Sequence, residues 1–371
     1  MADNKELFYK LHELLSPDNY KAYWEKTNMY QDDPFLGLTL FPDKFTNELS
    51  VEQIKGKRDV AVVIQPSAYD AKPTMRDKIG VQGFSMQIPF FREALHLTEL
   101  DKVRLTKALV TSKLDRDGLR NMLLEIYDQL TPIVKGADAR REEMAMSLLA
   151  DGTIEVYSDP SKGNQISQQY NYDFDGEWRT NNIITLIGDE VWTAENKAKS
   201  TPIQTILDIL DRIVEQRGYR PKKAILTTKT LNDILMSEEI TKLMTPNYVT
   251  VNPATNRAGR KEFLESYTGV SFFTYDKVYK TEQHGDVKKY YPDGQITLIP
   301  EGKLGSTLVG RTPDEFNDMY YGGIKTSRLS NGVTLASYVE GVPYNWVTTV
   351  SMVALPSFET MEDVYIIRNT D

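Results

Sequence analysis

The sequence has no cysteine and only three histidines, His12, His96 and His284, in 371 residues. Without cysteine there are no disulfides, no thiolate zinc sites and no cysteine nucleophile. The shortage of histidine removes the usual general base and the commonest metal ligand, and no histidine has a companion at ligand spacing. No apolar run approaches the ~18 residues of a membrane span, and no secretory pattern is visible, so the expected compartment is cytoplasmic. Bases fall short of acids, 44 against 53, for a formal charge of −9. A protein that lives by gripping phosphates needs the opposite balance, because Lys and Arg drive such binding by displacing counterions. Internal repeats, low-complexity tracts and long Gly/Ser linkers are also missing from the pattern.

What is present describes a folded chain. Apolar residues make up 40% and charged residues 26%, enough for two or three domains with real cores. The first fifty residues read as short helices joined by extended chain. "NKELFYKLHELL" places Leu7, Leu11, Leu14 and Leu15 on one stripe, and Ser16-Pro17 opens a second helix. Such pieces need another surface to lie on. From about Val60 to Leu97, "VAVVIQPSAYD" and "GVQGFSMQIPFF" read as strands around the charged "AKPTMRDKIG", a long β-hairpin with a polar tip. A lone hairpin is marginal in water, so this one implies a partner surface.

Thr98 opens a helical region with Asp101 three residues on. Beyond it, apolar residues at Leu119, Met122, Leu123, Ile126, Leu130, Ile133, Ala137, Met144 and Leu148 keep helical spacing for about thirty residues. Pro132 and Gly136 are expected to kink or interrupt that helix. The run Arg140, Arg141, Glu142, Glu143 falls between apolar positions. Its mixed signs suit pairing along a solvated or inter-subunit face rather than catalysis. Asp151-Gly152 ends the helix, and "TIEVYS" leaves as a strand.

Residues 183 to about 300 read as an α/β module. In it, Ser200 or Thr201 caps a helix begun by Pro202, with Ile203, Ile206, Leu207, Leu210, Ile213 and Val214 as its buried stripe and Gly218 as its stop. "KKAILTT", "VSFFTYD" and "GQITLIP" are its strands, with Thr228 capping the helix after the first. The chain then turns β-rich to its end.

An α/β module invites a nucleotide or metal site, and the motifs for one are incomplete. "YYGGIKTS" has the Lys-Thr end of a phosphate loop but lacks its glycines at the required spacing, and no G-x-S-x-G stands at a strand-to-helix turn. "NYDFDGEW" matches the first half of a calcium loop at Asn171, Asp173, Asp175 and Gly176. It fails at the first position, where Asn171 stands for Asp, and at the twelfth, Asn182, so it reads as a turn. Asp208 and Asp211 share a helix face without a histidine or metal partner. The expectation is a protein that is not an enzyme and has no catalytic, cofactor-binding or metal-binding residues.

The order of parts, together with "LGLTLFP", "IPFFREALHLTELD", "ARREEMAMSLLADGTIEV", "WTAENKAKSTPIQTILDILDRI", "PKKAILTTKTLNDIL", "YPDGQITLIPEGKLGSTLVGRTPDE" and "VSMVALPSFETMEDVYI", resembles the tailed-bacteriophage major capsid proteins of the lambda-type, phage capsid protein E family. The resemblance implies an α+β capsid fold. Residues 1–56 would be an N-terminal arm and 57–97 an extended loop, the long β-hairpin, lying over a neighbour. Residues 98–182 would form a peripheral domain with a spine helix, 183–325 an axial domain, and 326–371 the strands returning to the peripheral domain. It implies a structural protein that self-assembles through pentamers and hexamers into an icosahedral head around double-stranded DNA, bound without sequence specificity. The implied partners are a portal protein and a separate scaffolding protein, since no scaffolding extension precedes the arm; a decoration protein is compatible, and no membrane is involved. Assembly would take place in the host cytoplasm and the product would be the virion shell. Candidate inter-subunit contacts are Lys72, Arg76, Asp77 and Lys78 in the hairpin tip and Arg140, Arg141, Glu142 and Glu143 on the spine. The rivals are an encapsulin-like compartment of the same fold and an α/β enzyme.

Overall fold

The computed structural model describes residues 13–27, 34–48, 50–54, 83–111, 116–157, 167–244, 256–281, 285–322, 324–340 and 345–369. Two units emerge from its contacts, the first built from Met1–Val51, Ser85–Glu143 and Ser306–Ser357, the second from Glu52–Phe84, Met144–Gly305 and Phe358–Asp371.

The first unit is organised around one strand. Trp346–Ser357, "WVTTVSMVALPS", is rich in β-branched residues and buried at all twelve positions, as expected of a strand covered on both faces. It pairs antiparallel with Thr334–Val339, Ser306–Val309 and Phe90–Leu97. Asp43–Phe45 joins parallel to Ser306–Val309, and Lys325–Arg328 closes the far side, giving six strands in all. The helix begun by Pro17 lays Tyr20 and Trp24 into a cluster with Tyr127, Leu130, Val134, Leu329, Val333, Leu335 and Val350. This N-terminal segment therefore finds its surface within its own chain. The expected hairpin divides differently from the sequence reading. Ser50–Ile54 pairs with Gly83–Gln87 as a two-stranded ribbon, whereas Phe90–Leu97 is a full member of the six-stranded sheet.

The long helix is one uninterrupted element, Arg116–Asp151, 36 residues with Pro132 inside it. Of the expected kink or interruption, the interruption is thereby corrected. An interior proline costs roughly 3 kcal/mol, and burial of Ile126, Leu130 and Val134 around it offsets that. Residues 116–143 of the helix belong to the first unit and 144–151 to the second.

The second unit carries a mixed five-stranded sheet in the order Ile183–Leu186, Tyr365–Asn369, Gln295–Ile299, Lys223–Leu226, Ser271–Thr274. Helix Pro202–Arg217 buries Ile203, Ile206, Ile209, Leu210 and Ile213 against it and stops at Gly218 in the left-handed region. Val214, expected in that stripe, is exposed. The cap of the following helix is Thr227, not Thr228: its side chain accepts from Thr230 N. The final strand, Tyr365–Asn369, belongs to this sheet, while Lys325–Arg328, Thr334–Val339 and Trp346–Ser357 lie in the other. Residues 326–371, grouped as one set of return strands from the sequence, thus contribute to both units.

Candidate functional site

The charged run was expected on a solvated or inter-subunit face. For its two central members the solvated reading is corrected: Arg141 is 4% exposed and Glu142 1%. Both sit on the helix face of Val134, Asp138, Ala145 and Leu148, all buried, at the i, i+3, i+4 spacing of a core-facing stripe. Burying charge is tolerated only with partners, and each has them. Arg141 donates one Nη to Asp43 and the other to the carbonyl of Asn331 at 2.8 Å, with Asp138 3.8 Å away. Asn331 Nδ2 donates to both Asp138 oxygens at 3.1 Å. Glu142 Oε2 accepts from Gly37 N at 2.8 Å, on the short helix Leu36–Leu40. Four stretches of the first unit are therefore tied at one point: Gly37, Asp43, the long helix and the turn at Asn331.

Burial raises the Asp138 carboxyl to about 6 against the opposing pull of Asn331, and burial lowers the Arg141 guanidinium to about 10, still charged at neutral pH. The outer pair behaves differently. Arg140 and Glu143 form an i, i+3 ion pair at the half-buried margin, and the Arg140 guanidinium lies 5.9 Å from the Phe91 ring centroid. Lys72, Arg76, Asp77 and Lys78 lie outside the described residues.

In the second unit, "NYDFDGEW" is a capped turn. Asp173 accepts from Trp178 N at 3.0 Å and Arg179 N at 2.9 Å, opening the helix Glu177–Asn182. Both carboxylate oxygens point at helix amides, a geometry for capping rather than for calcium. "YYGGIKTS" feeds the strand Lys325–Arg328, not the helix a phosphate loop requires. Among the described residues no cluster of three or more His, Asp or Glu side chains could hold a metal ion, and no helix is long and apolar enough to cross a membrane. The chemistry available is that of a structural tie.

Asp43, Asp138, Asn331 and Gly37 were not singled out from the sequence. The spacing 134, 138, 141, 145, 148 is that of a buried stripe, but the stripe read from the sequence ran through Ile133, Ala137, Met144 and Leu148.

Likeness to solved structures defines the fold. The protein assigned as a prophage capsid protein of Escherichia coli CFT073 superposes with a TM-score of 0.54 at 13% identity, over 95% of this chain and 99% of that one. A phage-related protein of Bordetella bronchiseptica RB50 gives 0.51 at 13%, over 95% and 97%. At that identity the likeness establishes the fold, that of phage capsid subunits. No curated protein matches the sequence. Residues 25–344 match the family described as phage major capsid protein E, and the chain belongs to that family. It is a structural protein of a capsid shell and not an enzyme.

Proposed function

We propose that copies of this chain form pentamers and hexamers that close into an icosahedral head around double-stranded DNA, with the extended loop of each copy lying on a neighbour. The observation that carries this is the ribbon Ser50–Ile54 with Gly83–Gln87, a two-stranded sheet that, among the described residues, joins neither larger sheet. An isolated two-stranded ribbon is marginal in water, so the loop it brackets calls for an outside surface. In this reading residues 1–56 act as arm, 57–97 as loop, 98–182 as peripheral domain with its spine helix, 183–325 as axial domain and 326–371 as return strands of the peripheral domain. Lys72, Arg76, Asp77 and Lys78 meet charges on a neighbouring copy, and Arg140 and Glu143, at the margin of the buried cluster, are available to do the same. Partners would include a separate scaffolding protein, a portal protein and, in some heads, a decoration protein, with assembly in the host cytoplasm. The excess of acids over bases supports DNA that is enclosed rather than read.

The test removes residues 66–82. The shortened chain should keep the circular dichroism of the full chain while negative-stain images lose the closed shells that the full chain forms. Normal shells from the deletion would contradict the assignment of the loop.

A further inference from the structure

The first unit carries an open cleft of about 490 Å³ lined by Arg311, Glu315, Asp318, Met319, Thr326 and Arg328. Its polar groups are unequally satisfied. Asp318 accepts from Thr326 N at 3.0 Å and from its hydroxyl at 2.6 Å. Glu315 accepts from Thr334 at 2.8 Å, lies 3.6 Å from Arg328 and closes a capping box with Thr312. Arg328 also donates to the Gly310 carbonyl and covers the Phe45 ring at 4.8 Å. Arg311 differs: among the described residues its guanidinium donates only to the Met319 sulfur, at 3.6 Å. A thioether is a weak acceptor, so among the described residues Arg311 is a cation without a carboxylate of its own.

Met319 lines the cleft, and the two tyrosines that follow it in the chain are exposed, the Tyr320 ring stacking on Phe316 at 6.3 Å between centroids. Met319 is 57% exposed, Tyr320 69%, Tyr321 86% and Phe45, beneath Arg328, 60%. They follow from the local fold: helix Pro313–Tyr320 runs out at Tyr321, and Gly322, at φ 66°, turns the chain away. Tyrosine, methionine and arginine around a pocket make the composition of an interface centre, where large rigid rings bury much area at small entropic cost. A capsid subunit must offer such surfaces to its copies, and this chain has acids in excess to supply the missing charge.

We propose that this cleft and its Met319–Tyr321 rim are a contact between copies of the chain, with Arg311 receiving a carboxylate from the second copy and the tyrosines packing around it. The proposal rests on the shell function but names a surface that the loop and spine contacts do not include.

The absence of cysteine makes the test direct. A Tyr321→Cys chain carries one thiol, freely reactive in the dissociated subunit. In assembled shells its reaction with a maleimide should slow at least tenfold, and a benzophenone attached there should cross-link to a peptide of another copy. Equal rates in subunit and shell, or cross-links confined to one copy, would overturn the proposal. Hydroxyl-radical footprinting of the unaltered chain gives a second reading that needs no variant: oxidation of Met319, Tyr320 and Tyr321 should fall on assembly, and unchanged oxidation would refute the contact. Arg311→Glu should raise the protein concentration needed for assembly roughly tenfold, while an unchanged threshold would remove the carboxylate from the proposal. Failure of the unaltered chain to form any shell is a different result and would count against the shell function itself.

Discussion

Burying Arg141 costs several kcal/mol of desolvation that an apolar residue would avoid, and its bonds to Asp43 and Asn331 offset that cost only while every partner is present. Arg141→Ala leaves Asp43 and the buried Asp138 without their cation, so it should destabilise the chain by about 3–5 kcal/mol in urea unfolding. A loss under about 1 kcal/mol, the value for an exposed pair, would mean the cluster is not sealed from water. Asp138 adds a pH dependence of defined sign. Its carboxyl binds a proton more tightly folded, at about 6, than unfolded, near 3.9. Its contribution to stability is therefore greatest at acid pH and falls as pH rises from about 4 to about 6, with a slope of at most about 1.4 kcal/mol per pH unit. Asp138→Asn should flatten stability across that window, and an unchanged slope would contradict the assignment. The cluster was half legible in the sequence. The stripe read from the sequence ran through Ile133, Ala137, Met144 and Leu148 and left Arg141 and Glu142 off the core face, because Asp43 and Asn331 are remote in the chain and no local pattern announces them.

At the scale of elements, the long helix carries two residues that oppose it. Pro132 and Gly136 are both exposed, and a Cβ at Gly136 would meet nothing within 4 Å. Gly136→Ala should therefore stabilise the chain by about 1 kcal/mol, and Pro132→Ala by up to about 3 kcal/mol. Thermal unfolding reads both, and a destabilised variant would show that the helix needs these residues for its shape. Gly152, which ends the helix, has the reverse character. It stands at φ 69°, and a Cβ there would lie 2.7 Å from Trp178 and 2.8 Å from Met361. Gly152→Ala combines left-handed strain with overpacking and should cost about 2–4 kcal/mol; a neutral result would mean the Trp178 ring can move aside. Here the sequence was readable at the stop, since Asp-Gly after an apolar stripe is a terminator in its own right. It was misleading in the middle, because burial of Ile126, Leu130 and Val134 is a tertiary effect that local propensity does not contain. The capped turn at Asp173 was legible for the same local reason, as Asn, Asp and Gly each favour turns through their own backbones.

At the scale of the whole molecule, the α/β unit with its helix Pro202–Arg217 could be outlined from periodicity, because local signals such as the Thr227 cap and the stops at Gly218 and Gly269 mark its helices. The pairing of Phe90–Leu97 with Trp346–Ser357 could not: it joins segments from distant parts of the chain, and nothing in either states its partner. The same holds for Tyr365–Asn369, which pairs with Ile183–Leu186 and Gln295–Ile299. Membership of the phage major capsid protein E family supplies what periodicity lacks, a class for the chain as a whole. The decisive measurement is a single-particle cryo-electron-microscopy reconstruction of the full chain after assembly. It should show a closed icosahedral shell of one repeating subunit, with residues 57–82 of each copy resting on the next. A chain that stays a dispersed monomer at high concentration, with or without its genomic neighbours, would contradict it.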